Sequence, residues 1–313
     1  MRTEDNMIQL LPTELISHVI IITAVVTLAS LITVMERKQL ACTQRRVGPS
    51  VTGWWGLLQV VADGAKLISK DFGQLTLYLW IGPMLSVSCS LLTILLVWLD
   101  RQGMHFSLFI LLLAATGGLS HLGVVLTGHL TNQSSKWSTL GCTRGLALYL
   151  AYDLSLILAW FALLPASSQC SLTTLTDIQD RSGLTNCIAL PGICSLYFVL
   201  LLVECGRAPF DLQEAESELV SGFNTEYGGL CYGIYAACEY ATLLVGIYVL
   251  CIVGIGSTST LIVMGQVVFA LTVVINLRAV LPRLRTSDTI ELVWSGLVPV
   301  TVLHLTLVTC MTA

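Results

Sequence analysis

Apolar residues dominate this chain in long unbroken runs, and polar residues gather in the short stretches between them. Runs of the length needed to cross a hydrocarbon core of roughly 30 Å fall at about 15 to 35, 75 to 99, 105 to 127, 140 to 164, 187 to 203, 227 to 253, 258 to 280 and 290 to 312. The runs are continuously apolar and do not alternate in polarity. Because lipid cannot satisfy backbone polar groups, such runs predict helices and not the strands of a barrel. The expectation is an all-α polytopic membrane protein, a bundle of eight transmembrane helices. The longest gaps, 36 to 74, 165 to 186 and 204 to 226, are too short for a second core, so residues 1–313 read as a single transmembrane domain.

The second half of the first gap has its own pattern. Leu57, Leu58, Val61, Ala65 and Leu67/Ile68 recur near the helical period, with Asp63, Lys66 and Lys70 among the polar positions, after a Gly48-Pro49 turn. This predicts an amphipathic helix lying in the membrane interface. It reads either as an anchor for anionic lipid or, given Trp54 and Trp55 beside charges of both signs, as the mouth of a cavity for an amphipathic ligand.

Composition agrees with a membrane chain: 55% of residues are hydrophobic, 11% charged, and the mean hydropathy is +0.82, against roughly 25% charged in soluble domains. Eight crossings put both termini on one side, and the loops then divide the Lys and Arg residues twelve to three. By the positive-inside rule the basic loops face the matrix or cytoplasm. The N-terminal MRTEDNMIQLLP is short and acidic, which predicts neither a transit peptide nor a cleaved signal. The net charge of -4 gives no reason to expect a nucleic-acid partner.

Eleven cysteines and five histidines raise the question of a metal. No CxxC occurs, the closest pairs such as Cys187/Cys194 and Cys231/Cys238 are seven apart, and structural zinc and iron-sulfur sites use tighter spacings. No histidine pair has the spacing expected of axial haem ligands on one helix, so the expectation is no metal. His121 remains a polar residue in an expensive place, which packing against Gly117, Gly118 and Gly123 could explain without any function.

The chemistry concentrates in "LLVECGRAPFDLQEAESELVSGFNTEY", residues 201 to 227, which holds six carboxylates and one arginine. On a helix Glu214 and Glu218 would sit about 6 Å apart, a repulsion of roughly 2.8 kcal/mol at an effective dielectric near 20, or about two pKa units. With Glu204, Asp211, Glu216 and Glu226 nearby and only Arg207 to compensate, several of these groups would hold protons near neutrality if sheltered. Ala208-Pro209-Phe210, Leu212, Leu219-Val220 and Phe223 interrupt the charges as a sheltered loop would. Two further carboxylates, Asp153 and Glu239, lie inside predicted spans, where charge is costly and functional by default. Thirteen residues separate Glu226 from Glu239, which is about 19.5 Å along a helix and about 220° around it. A proton path between them would need water, Asp153 or a distorted helix.

The segments ERK(x7)R(x)GP with QxxAD downstream, ECGRAPFDLQEAESELVSGFNTEY, EY at 239 to 240 and LPRLR(x2)D at 281 to 288 resemble the chain 1 family of NADH:ubiquinone oxidoreductase, respiratory complex I. The resemblance covers nearly the whole chain. It implies an eight-helix membrane subunit that forms much of the ubiquinone tunnel and links it, through carboxylates, to proton translocation. The subunit would carry no redox cofactor itself; ubiquinone would be its substrate, with FMN and iron-sulfur clusters in partner subunits. It would assemble with other membrane-arm subunits, with the peripheral-arm subunits of the quinone site and with lipid, in the mitochondrial inner membrane or, less in keeping with the drifted motifs, a bacterial plasma membrane.

Carried over by motif, the resemblance implies a proton relay of Glu204, Asp211, Glu214, Glu216, Glu218, Glu226, Glu239 and Asp153. It implies a quinone tunnel with Glu36, Arg37, Arg46, Trp55, Asp63, Phe223, Arg283 and Arg285, and loop pairing by Arg207 and Arg144. Some positions depart from the family. Asp153 stands for its glutamate, one bond shorter; Leu148 for a glutamine; Val60 for a proline; and Gln39 and Arg45 occupy positions that are usually apolar. The alternatives are the membrane subunit of an energy-converting hydrogenase, or a secondary transporter, which would need an inverted internal repeat that the sequence does not display.

Overall fold

A computed structural model describes residues 2–70, 80–103, 109–130, 136–163, 171–182, 185–189, 191–213, 219, 222–225, 227–256 and 259–312. All regular structure among these residues is helical. Helix α1 is Arg2–Thr43, α2 Gln59–Ser69, α3 Ile81–Arg101, α4 Phe109–Leu130, α5 Lys136–Leu163, α6 Leu172–Ser182, α7 Asn186–Ala189 and α8 Pro191–Glu204. After the acidic loop come α9 Gly229–Gly254, α10 Thr260–Val280, α11 Thr286–Glu291 and α12 Val298–Thr312, the last two joined through a π-helical turn at Leu292–Leu297.

Among the described residues seven stretches are long and apolar enough to span a membrane: Ile16–Thr43, Ile81–Arg101, Phe109–Leu130, Lys136–Ala162, Gly229–Gly254, Thr260–Val280 and Thr286–Cys310. They correspond to seven of the eight expected runs. The remaining run, 187 to 203, forms α7 and the 14-residue α8, and at 1.5 Å per residue α8 covers only about 21 Å. Pro191 at the first position of α8 sets its start, since proline lacks the amide that a preceding turn would use. The first span also outruns its apolar segment. Glu36-Arg37-Lys38-Gln39-Leu40, expected in a loop, continues α1 because these residue types favour helix and the four polar ones each have a partner to meet.

Helices α3, α4 and α5 pack side by side, α5 also meets α8 and α12, and α9 is wrapped by α1, α3, α8 and α10. The core lies among α5, α8 and α9, where Tyr152, Leu200, Leu201, Ile247 and Ile252 are fully buried. Large apolar side chains point outward instead on α10, where Leu261 is 86% and Phe269 71% exposed. Such a surface is a liability in water and the ordinary outer face of a helix in lipid.

Small residues set the tightest approach. A Cβ on Gly82 of α3 would lie 2.1 Å from Thr127 Cγ2 and 2.9 Å from the Gly123 carbonyl oxygen of α4. Close backbone approach through small side chains is the usual way helices associate where apolar burial provides little drive. Polar ties fix the ends. Asp100, at the end of α3 and wholly buried, accepts hydrogen bonds from the Leu172 and Thr173 amides at 3.0 and 3.3 Å and so caps α6 from another helix. Gln179 and Asn186 both donate to the Val253 carbonyl at 2.8 Å, holding α6 and α7 to the end of α9.

Gly82→Leu should force α3 from α4 and cost about 1–3 kcal/mol, as overpacking does. Gly64→Ala on α2, where a Cβ meets nothing within 4 Å, should be silent. Thermal melting of the detergent-solubilised chain, followed by helical circular dichroism, reads the difference.

Candidate functional site

Glu36, on the last turns of α1, is 5% exposed in the apolar bundle. A lone carboxylate there would be strongly disfavoured, and three partners converge on it. Arg207 Nη1 donates to both of its oxygens at 3.2 and 3.4 Å, the Tyr240 hydroxyl donates at 2.5 Å, and Arg278 Nη1 donates to Oε1. The Arg207 guanidinium also lies over the Tyr240 ring, 4.3 Å from its centroid. Helix α1, the loop after α8, α9 and α10 are thus joined at one carboxylate. Burial works against the charge on Arg207, but Tyr240, Glu36 and Glu239 outweigh it and push its pKa up, so this arginine stays charged. One turn further, Gln39 Nε2 donates to the Thr272 carbonyl at 3.0 Å and to Asn276 Oδ1 at 2.8 Å. These bonds give α1 a second tie to α10.

Glu239 precedes Tyr240 on α9, and a helix turns adjacent side chains by about 100°. Tyr240 therefore reaches the Glu36 cluster while Glu239 faces a separate cavity of about 50 Å³. That cavity lies among α3, α4, α5, α9 and the end of α8. Ser86, His121, Tyr149, Glu204, Gln213 and Glu239 supply polar groups to its wall. Glu204 comes from the last residue of α8, Gln213 from the loop beyond. Glu204 Oε1 is 3.1 Å from the place a Cβ would occupy on Gly117, and Asp153 Oδ2 is 3.6 Å from that of Gly118. The two carboxylates, from α8 and α5, thus approach the same pair of glycines on α4. Bare glycine backbone leaves them the room.

The remaining expected residues divide. Asp211 and Arg283 form an ion pair at 2.9 Å, reinforced by the Leu284 amide donating to the Pro209 carbonyl at 3.1 Å. Arg37 and Asp63 pair at 2.8 Å, both substantially exposed, and Gln59 donates to Asp63 at 2.8 Å. Arg46 donates to Gln44 at 2.7 Å. Trp55 is 72% exposed with left-handed backbone, φ 58°, its carbonyl accepting from Lys38; it lines neither the cavity nor the Glu36 cluster. Phe223 is fully buried, edge-on to Tyr235 with ring centroids 5.5 Å apart. Arg144 is half-buried on α5 and Arg285 exposed before α11. Glu214, Glu216, Glu218 and Glu226 lie outside the described residues.

Arg278, the second cation of the Glu36 cluster, escapes a reading of the sequence because it ends an apolar run and looks like an interfacial anchor. So does Gln213, whose amide donates to the Tyr149 hydroxyl on the cavity wall. Only the EY pair at 239 to 240 signalled both sites at once. Among the described residues no group of three His, Cys, Asp or Glu side chains could hold a metal ion.

A family model described as NADH dehydrogenase matches residues 16–309. The chain is 32% identical over 302 residues to NADH-ubiquinone oxidoreductase chain 1 of Strongylocentrotus purpuratus, covering 92% of this chain and 91% of that one. It is 31% identical to the protein of that name in Ornithorhynchus anatinus, covering 95% and 94% of the two chains. With that of Hyaloraphidium curvatum it shares 34% identity over 90% and 92%.

Removing Glu36 leaves Arg207 buried against Tyr240 without its main counter-ion. Glu36→Ala should therefore cost about 3–5 kcal/mol, whereas Arg37→Ala, which breaks an exposed pair, should cost under about 1 kcal/mol. Thermal inactivation of the membrane-embedded protein should separate the two variants.

Proposed function

Since this chain belongs to the NADH dehydrogenase family, we propose that it is the membrane subunit of an NADH:ubiquinone oxidoreductase and couples quinone reduction to proton translocation. The observation that carries the reading is the shared cavity of Glu204 and Glu239. Two carboxylates from different helices face one space inside a membrane bundle, where charge is expensive. At about 15 Å³ per water, a cavity of about 50 Å³ has room for on the order of three waters. Waters there would let a proton move between acids that do not touch.

In this reading Glu204, Glu239 and Asp153 form the inner part of a relay, and Glu214, Glu216, Glu218 and Glu226 extend it toward the quinone. Asp211 serves the relay only by anchoring the loop, since Arg283 holds its carboxylate. The Glu36 cluster is the rigid wall between the relay and the quinone side. Arg207 touches Glu36 and lies in the field of Glu239, so a change of charge on either acid acts on the other through it. Arg37, Arg46, Asp63 and Trp55 stand on the exposed surface near α2, which suits a quinone entrance or a partner subunit more than a closed tunnel. Phe223 packs edge-on against Tyr235 of the cavity wall. Ubiquinone is the substrate, and the flavin and iron-sulfur clusters reside in partner subunits. The chain sits in a mitochondrial inner membrane, with α8 making a short eighth crossing and the basic loops toward the matrix.

Glu239→Gln keeps shape and hydrogen bonding but cannot carry the proton. Quinone reduction coupled to proton translocation in the assembled complex should fall about tenfold or more, with assembly intact. Full coupled turnover in that variant rules out the relay.

A further inference from the structure

His121 is the one imidazole on the wall of the cavity, and nothing in the resemblance to chain 1 gives it a role. It is 8% exposed on α4, inside a span. Its Nε2 is 2.6 Å from the Tyr152 hydroxyl. Its ring is stacked on that of Tyr149, with centroids 3.6 Å apart and planes within 19°. Tyr149 is itself held by Gln213, so the imidazole is fixed in orientation from two sides by α5. One edge of this assembly opens on the space that Glu204 and Glu239 share. The other side leads to Tyr152, fully buried and within the field of both Glu204 and Asp153.

Asp153 does not belong to the cavity wall, and it accepts a hydrogen bond from Tyr152, which places the Tyr152 hydroxyl between it and His121. Packing against glycines would not require an imidazole at position 121; leucine or valine would fill the space with no polar group to satisfy. An imidazole bonded to a phenol through one nitrogen and bordering a cavity lined by carboxylates is placed to hand a proton through itself.

We propose that His121 is a proton-carrying residue of this chain, linking the Glu204/Glu239 cavity to Asp153 by way of the Tyr152 hydroxyl. One ring nitrogen takes a proton as the other releases one. At Nε2 the exchange is with Tyr152, whose hydroxyl in turn exchanges with the Asp153 carboxyl; the other nitrogen exchanges with the cavity. One proton crosses, no electron is transferred, and no net charge stays on the ring after it resets. The inference rests on the relay reading above and adds to it a route from the cavity to Asp153.

The test uses the assembled complex in its membrane, with His121→Gln, His121→Leu and Tyr152→Phe. Glutamine retains a hydrogen bond to Tyr152 but has no second nitrogen to pass a proton. All three variants should assemble in normal amount and lose coupled quinone reductase activity about tenfold or more, with the solvent deuterium isotope effect on turnover rising as a proton step becomes limiting. Restoration of wild-type turnover and isotope effect by glutamine would reduce His121 to a packing and hydrogen-bonding residue and overturn the proposal. If leucine prevents assembly, Tyr152→Phe, which removes a single oxygen, decides the matter by the same readings. Glu204→Gln and Glu239→Gln run alongside. Loss of coupling in those two with normal coupling in the His121 and Tyr152 variants sinks this route alone, while normal coupling in all of them sinks the relay as well.

Discussion

One buried guanidinium organises the functional half of this molecule. Arg207 sits just after α8, inside a bundle whose walls are otherwise hydrocarbon, and its charge has to be met without water. Glu36 meets it from α1, Tyr240 from α9 through both its ring and its hydroxyl, and Arg278 follows onto the same carboxylate from α10. Partners brought to a single point from three helices and a loop leave little freedom for the ends of those helices to slide. The interaction need not add net stability, since desolvating two charges can cancel their attraction. What it contributes is position: it fixes which face α9 turns inward, and so where Glu239 points.

The cavity follows from that constraint together with the glycines of α4. Gly117 and Gly118 leave space for Glu204 and Asp153 to approach the same helix from α8 and α5, while Gly82 and Gly123 draw α3 and α4 together a turn or two away. A bundle of large apolar residues would have closed over this volume. Here small residues hold the helices near enough to stay dry on the outside and far enough apart to keep a polar interior. Proton chemistry within a membrane needs both conditions at once.

The helical architecture was legible in the runs of apolar residues, because a span must be both long and apolar and few sequences satisfy that by chance. The eighth run was ambiguous for a physical reason: Pro191 interrupts it, and hydropathy averages over such breaks. The acids of the cavity were legible as charges in costly places, and Arg207 as the lone cation among them. The convergence of both arginines on Glu36 was not, since Glu36 read as part of a basic loop and Arg278 as an anchor at the end of a span. Pairing across 171 and 242 residues leaves no local mark. Phe223 and Trp55 illustrate the converse. Both are aromatic and near charged motifs, yet one is core and the other surface, a distinction set by the path of the backbone and not by residue type.

The cap on α6 bears on the order in which the chain is built. A helix normally finishes its own first turn with a residue next to it in sequence, but α6 borrows Asp100 from the end of α3, 72 positions upstream. Until those two ends meet, the opening amides of α6 must be solvated by something else, and the aspartate carries an uncompensated charge. The short surface helix is therefore a latch that engages only after α3 has been threaded and α5 has returned, making the docking of α6 a marker of completed insertion for the first half of the protein.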